Sequence, residues 1–209
     1  MPVATAVVAS HRVRKKQATR QAIHEAAFDL VDACGLSQVT IEAISEKAGL
    51  APRTFWSYFA SKEDAVVNHD PTRPEALRAA LLARPAGEDP LTALRRVLEQ
   101  EMIERNRDPE PATRRHQLVQ REPQLMAAVA AAYDEMARAL VEAVAQRIGS
   151  PREKDMLPEV LVAAAFGACR VAQQRWADSR CQRPFPELID EAFAQLAQAL
   201  APLVKERQT

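Results

Sequence analysis

The residues of this chain that could do chemistry cluster between Thr40 and Lys62, in T-I-E-A-I-S-E-K-A-G-L-A-P-R-T-F-W-S-Y-F-A-S-K. Ser61 and Asp64 form an S-x-x-D capping pattern, which places Lys62 at the first position of a helix. A cation there opposes the helix dipole by about 0.3–1 kcal/mol. A bound anion compensates, because helix N-termini already favour phosphate. The bland alternative is a solvated lysine at a helix end. Phe55, Trp56, Tyr58 and Phe59 supply more aromatic surface than one short helix needs for its own core contact. Upstream, Arg12, Arg14, Lys15, Lys16 and Arg20 precede the first acidic residue, Glu25. The chemistry these residues suggest is contact with a polyanion, not bond making or breaking.

Catalytic patterns do not compete with that reading. The sequence holds no nucleophile elbow, H-E-x-x-H, P-loop or dinucleotide fingerprint, so neither an enzyme nor a bound cofactor is expected. Cys34, Cys169 and Cys181 show no C-x-x-C spacing, which suits a reducing cytoplasm and argues against a disulfide framework or zinc site. Cys34 falls on an apolar stripe and is expected in a core, while Cys169 suits either core or pocket lining. His11, His24, His69 and His116 form no i, i+4 pair, so no metal site is expected. No apolar run is long enough to span a membrane, and the apolar opening precedes the positive charges, the reverse of a signal peptide.

The elements that must position these residues are helical. The 209 residues are 47% hydrophobic but contain only 5 glycines, with long Ala/Leu/Arg/Glu/Gln runs, and point to an all-α protein of about nine to ten helices. Lys plus Arg and Asp plus Glu are both 28, so the chain as a whole is not a basic nucleic-acid binder. A basic start on a neutral chain suits a small contacting module carried by a larger body. Residues 1–12 lack periodicity and read as a flexible basic arm, or merely a soluble tail. Residues 13–67 read as a three-helix head. Ile23, Ala26, Ala27, Leu30, Val31 and Cys34 make one stripe closed by Gly35. Thr40 suits an N-cap, Gly49 a left-handed helix end, and Pro52 the first position of a second helix of about two turns. Helix, glycine turn and short second helix are the grammar of a helix-turn-helix.

Residues 68–209 read as a helical body. A short helix spans about 74–84, Asp89 caps the next, and D-P-E-P at 108–111 breaks it. The helix over about 155–179 is apolar on nearly every side and needs cover beyond its own domain. Paired with the last helix, about 185–200, it would form a four-helix bundle between two copies; these are the eighth and ninth helices of this count. Met102, Met126, Tyr133, Phe166, Cys169, Arg170, Gln173 and Trp176 are the candidates to line a cavity for a small apolar or amphipathic effector. Arg114 and Arg115 are the candidates for a basic mouth. Ordinary core and solvated surface are the bland alternatives for both sets.

G-L-A-P-R-T-F-W-S-Y-F-A-S-K-E resembles the helix-turn-helix signature of the TetR family of bacterial transcriptional regulators, strongly over about 15–67 and by helical layout beyond. The resemblance implies that Arg53 and Thr54 face bases and that Trp56, Tyr58 and Lys62 face the DNA backbone. Trp56 stands where that family usually has tyrosine, and Tyr58 where it often has histidine. Arg14, Lys15, Lys16, Thr40 and Ser57 complete the DNA-contacting candidates. The resemblance also implies a homodimer on double-stranded operator DNA. More weakly, the body resembles the subgroup of acyl-CoA-like ligand binders that includes mycofactocin-type regulators. R-T-F-W-S-Y-F-A-S-K-E-D-A-V, the A-R-P loop, the P-Q-L opening and the late Arg175–Trp176 carry this second likeness. The expectation is a cytoplasmic, ligand-responsive repressor on a palindromic operator, released by a mostly apolar, acyl-CoA-like molecule. The alternative is a DNA-binding protein whose body only dimerises or binds other proteins.

Overall fold

A computed structural model describes residues 3–150, 155–179 and 182–206, and these fold into helices alone. The helices are α1 Val3–Cys34, α2 Ile41–Lys47, α3 Pro52–Phe55, α4 Lys62–Val67, α5 Arg73–Leu82, α6 Pro90–Arg105, α7 Pro109–Arg121, α8 Pro123–Ile148, α9 Leu157–Asp178 and α10 Phe185–Glu206, with a 3-10 turn at Leu36–Gln38. The chain divides into two compact units, residues 1–70 with 117–132, and residues 71–116 with 133–209.

In the first unit, local sequence signals set the helix ends. The Thr40 hydroxyl accepts from the Ala43 N–H at 3.2 Å, and the Ser61 hydroxyl accepts from the Asp64 N–H at 3.0 Å. Gly35 and Gly49 take the left-handed φ values of 82° and 69° that end α1 and turn the chain between α2 and α3. Ile23, Ala27, Val31, Leu36, Ile44 and Phe55 form the centre of this unit's core. Leu118 and Leu125, fully buried, belong to the same core. The segment that the sequence reading leaves with the body therefore supplies part of the head's interior.

Three expectations for the head are corrected. Residues 3–12 are not an irregular arm but the first turns of α1. Nothing between Val3 and Cys34 breaks a helix, since the stretch holds neither Gly nor Pro. The second helix is not two turns long. α3 has 4 residues and is capped by Trp56, so Trp56, Ser57 and Tyr58 lie in the turn after it. Cys34 is exposed, because it is the last residue of α1 and the stripe has passed the core there. Cys181 lies outside the described residues.

The second unit packs α5, α6, α9 and α10 with the latter part of α8 around Leu81, Leu94, Leu140, Val144, Ala165 and Ile189. Asp89 caps α6, accepting from the Thr92 N–H at 2.9 Å. Arg147 on α8 gathers the carbonyl oxygens of Leu81, Arg84, Pro85 and Glu88, which closes the end of α5 and the loop behind it. No helix of the described residues is long and apolar enough to cross a membrane.

Candidate DNA-binding head and effector body

Arg53 and Ser57 are exposed, as is Trp56 at 58% of its surface, while Phe55 between them is fully buried. The short α3 thus turns one large ring into the core and leaves another outside. Phe55 meets Trp56 edge-on at 5.5 Å and packs on Phe59 at a tilt, 6.0 Å between centres, so the buried ring fixes the exposed one. Thr54 and Tyr58 are half-buried.

The turn that holds Tyr58 is clamped from behind by a residue the sequence reading did not single out. Arg20 on α1 donates to the Tyr58 carbonyl at 2.9 Å and to the His69 carbonyl, and its guanidinium lies 4.1 Å from the centre of the Phe59 ring. The only signal in the sequence was its place in a basic run, which does not distinguish a clamp from a phosphate contact. Arg14, Lys15 and Lys16 are exposed on α1. Thr40 is exposed too, with its oxygen engaged in the cap.

Lys62 is half-buried, and its ammonium donates to the Leu36 carbonyl at 2.7 Å and the Val39 carbonyl at 3.0 Å. Glu122 accepts from the Leu36 N–H at 3.2 Å, so the 3-10 turn is held from both polarities. Two of the three ammonium donors are thereby used, and one remains for an anion.

In the body unit the structure brings Met102, Tyr133, Phe166, Cys169 and Trp176 to one core, where Met102, Cys169 and Trp176 are buried. Tyr133 and Phe166 meet edge-on at 5.5 Å, and Trp176 meets Phe185 in the same way at 5.6 Å. Burial pushes the Cys169 thiol up to about 12, so it behaves as a small apolar group rather than a nucleophile. Gln173 is half-buried and Arg170 exposed. Met126 is not brought to this core: it is 50% exposed and belongs to the head unit, because α8 changes unit after residue 132.

The two arginines expected together at a mouth differ. Arg114 is exposed, whereas Arg115 turns inward and donates to the Arg105 carbonyl at 2.9 Å and the Asn106 side-chain oxygen at 3.4 Å. Burial pushes the Arg115 guanidinium down to about 9, and the charge of Arg105 adds to that shift. Arg105 is held below its ordinary range mainly by burial. Sequence reasoning missed Arg105, whose place in the last turn of α6 reads as an ordinary surface charge.

A family model described as bacterial regulatory proteins of the tetR family matches residues 23–66, and one described as the MftR C-terminal domain matches residues 88–201. The HTH-type transcriptional regulator TcmR of Streptomyces glaucescens is 34% identical over 172 residues, covering 79% of this chain and 76% of that one. The fatty acid degradation regulator FadR of Bacillus halodurans has the same fold, with a TM-score of 0.57 at 17% identity over 88% of this chain and 96% of that one. FadR of Thermus thermophilus, a repressor solved in complex with lauroyl-CoA, aligns with a TM-score of 0.50 at 21% identity over 85% and 92% of the two chains.

Proposed function

This chain belongs to the TetR family of bacterial regulatory proteins, with a body of the MftR type, and we propose that it is a repressor that binds a palindromic operator as a homodimer and is released by a mostly apolar, acyl-CoA-like effector. One observation carries the DNA half of this reading. α3 leaves Arg53, Trp56 and Ser57 exposed, while Phe55 and the Arg20 clamp hold the element rigid. Arg53 and Thr54 reach base edges, and Trp56, Ser57, Tyr58 and the free donor of Lys62 meet phosphates, with Thr40 and the exposed Arg14, Lys15 and Lys16 along the flanks. The effector half rests on the convergence of Met102, Tyr133, Phe166, Cys169 and Trp176 in the body, with Gln173 and Arg170 farther out on α9. The ligand recorded for the Thermus thermophilus regulator makes lauroyl-CoA the first probe.

The test is a pair of titrations. Purified protein is titrated onto a palindromic site from its own upstream DNA and onto a scrambled duplex, then again with saturating lauroyl-CoA. Preference for the palindrome, with affinity falling about 5- to 150-fold on addition of the acyl-CoA, is the expected result. Equal affinity for both duplexes removes the specific-regulator reading. Unchanged operator affinity with every acyl chain length leaves the body as a dimerisation or protein-interaction module.

A further inference from the structure

We propose that Arg20 is a positioning residue for sequence reading, whose guanidinium fork holds the turn after α3 against the end of α4 instead of neutralising a phosphate. This rests on the DNA-binding reading above and gives a specificity role to a residue outside the exposed contact set. The basic run of α1 does not share one environment. Arg14, Lys15 and Lys16 are exposed, whereas Arg20, farther along the same helix, is half-buried.

Its two terminal nitrogens go to two different elements. Nη1 donates to the Tyr58 carbonyl at 2.9 Å, in the turn that also carries Trp56 and Ser57, and Nη2 donates to the His69 carbonyl, just past α4. The face of the guanidinium lies over the buried ring of Phe59. The end of α4 is itself well defined. Asn68 takes a left-handed φ of 55°, and the His69 N–H returns to the Asp64 carbonyl at 2.9 Å. One helical turn along α1 from Arg20, Nδ1 of His24 lies 2.8 Å from the Ala65 carbonyl oxygen, so one face of α1 grips α4 twice. The His69 carbonyl is thus an anchored point, and the fork pins the Tyr58 carbonyl to it.

The turn needs that pin. α3 has only 4 residues, too few to hold its own geometry cooperatively. Base edges are read by side chains placed to within about 0.5 Å, so a loose turn costs sequence preference before it costs phosphate attraction. An arginine suits this role better than a lysine. Its fork fixes the spacing of the two carbonyls and its planar face stacks on the ring, whereas an ammonium offers neither. With both terminal nitrogens on carbonyls and one face on a ring, the group is committed to the protein's own backbone. A plain stability clamp would use the same contacts, and an ordinary phosphate contact would need only the charge.

The experiment compares the full-length wild type with Arg20→Lys and Arg20→Met, each at a temperature where circular dichroism shows it folded. Each protein is titrated over a salt series onto a palindromic site from its own upstream DNA and onto a scrambled duplex. Both variants should lose at least tenfold of the preference for the palindrome while keeping the wild-type salt dependence on scrambled DNA. A second measurement needs no DNA. The anisotropy decay of Trp56 fluorescence, read in a Trp176→Phe background, should gain a fast component when Arg20 is replaced. Wild-type binding by Arg20→Lys, with a salt slope about one unit shallower in Arg20→Met, makes Arg20 a phosphate contact and overturns the proposal. Retained preference and unchanged Trp56 motion in both variants, whatever their melting temperatures, leave only a stability clamp and also overturn it. Equal affinity of the wild type for both duplexes removes the DNA-binding reading, and this role with it.

Discussion

Lys62 occupies the first position of α4, where its charge opposes the helix dipole, and turns back onto the carbonyl oxygens of Leu36 and Val39. Two charge-assisted bonds outweigh a dipole cost of about 0.3–1 kcal/mol. Lys62→Ala leaves both carbonyls without their donor, and such bonds to a charged group contribute about 1.5–3 kcal/mol. Urea unfolding followed by circular dichroism should show a loss of that size. Operator affinity should fall for specific and scrambled duplexes alike, with a shallower salt dependence if the remaining donor holds a phosphate. A variant with unchanged stability would contradict the bonding seen here. Arg53 makes the opposite case. It is exposed, so Arg53→Ala should change stability by no more than about 0.5 kcal/mol. If it makes a bidentate base contact, about 1–3 kcal/mol of base preference is at stake, and selection from a randomised operator library reads that change directly. An unaltered base preference would remove Arg53 from the base-reading set.

At the scale of elements, what the sequence revealed was what is local. Thr40, Ser61 and Asp89 cap helices through side chains three residues from the N–H groups they satisfy, so their pattern is visible in a short window. Gly49 is of the same kind: its φ is 69° and no atom lies within 4 Å of the place a Cβ would take. Gly49→Ala should therefore destabilise the head by about 1–2 kcal/mol through backbone strain alone, and Gly49→Asn by less. Equal unfolding free energies for alanine and wild type would show that the turn relaxes. What the sequence hid is non-local. Leu118 and Leu125 sit in periodic helices that read as part of the body, yet both are buried in the head core, and Glu122 between them accepts from the Leu36 N–H. Arg121 adds an ion pair to Asp32 at 2.6 Å. No window on one helix shows which core a leucine enters. Leu118→Ala should cost about 2–5 kcal/mol and loosen the head although it lies far from the signature in sequence. Hydrogen exchange that deprotects α1 and α2 in this variant would confirm its address, and exchange confined to residues 71–116 would refute it. Arg105 stayed hidden for a related reason: a lone helical arginine reads as solvated until the neighbouring charges are placed around it.

For the molecule as a whole, the proposed dimer has a definite surface from which to start. On α9, Val162, Ala165, Ala168, Cys169, Ala172 and Trp176 are buried in their own unit. Val160 and Val171 are left 51% and 50% exposed, with Ala163 exposed and Ala164 and Gly167 partly so. These positions repeat at three- and four-residue steps, so they form one apolar stripe opposite the buried one. Scattered exposed valines need no explanation, but an aligned stripe of valines and small residues lets a second helix approach closely. If α9 pairs with its copy along that stripe, Val171→Glu puts a carboxylate into an apolar seam and should split the dimer. Because Val171 is exposed in the single chain, the substitution should leave the helical circular dichroism of the protomer intact, which separates dissociation from unfolding. Light scattering should then report a mass near the 23.1 kDa of one chain. DNA binding supplies the second reading of the same variant. Two heads on a palindrome bind with the second contact made at high effective concentration, and a monomer forfeits that advantage by about 10²- to 10⁴-fold. A monomeric Val171→Glu protein should therefore prefer the palindrome over a single half-site only by the statistical factor of two sites, whereas wild type should prefer it steeply. A variant that stays dimeric with full operator affinity would place the dimer surface elsewhere than α9.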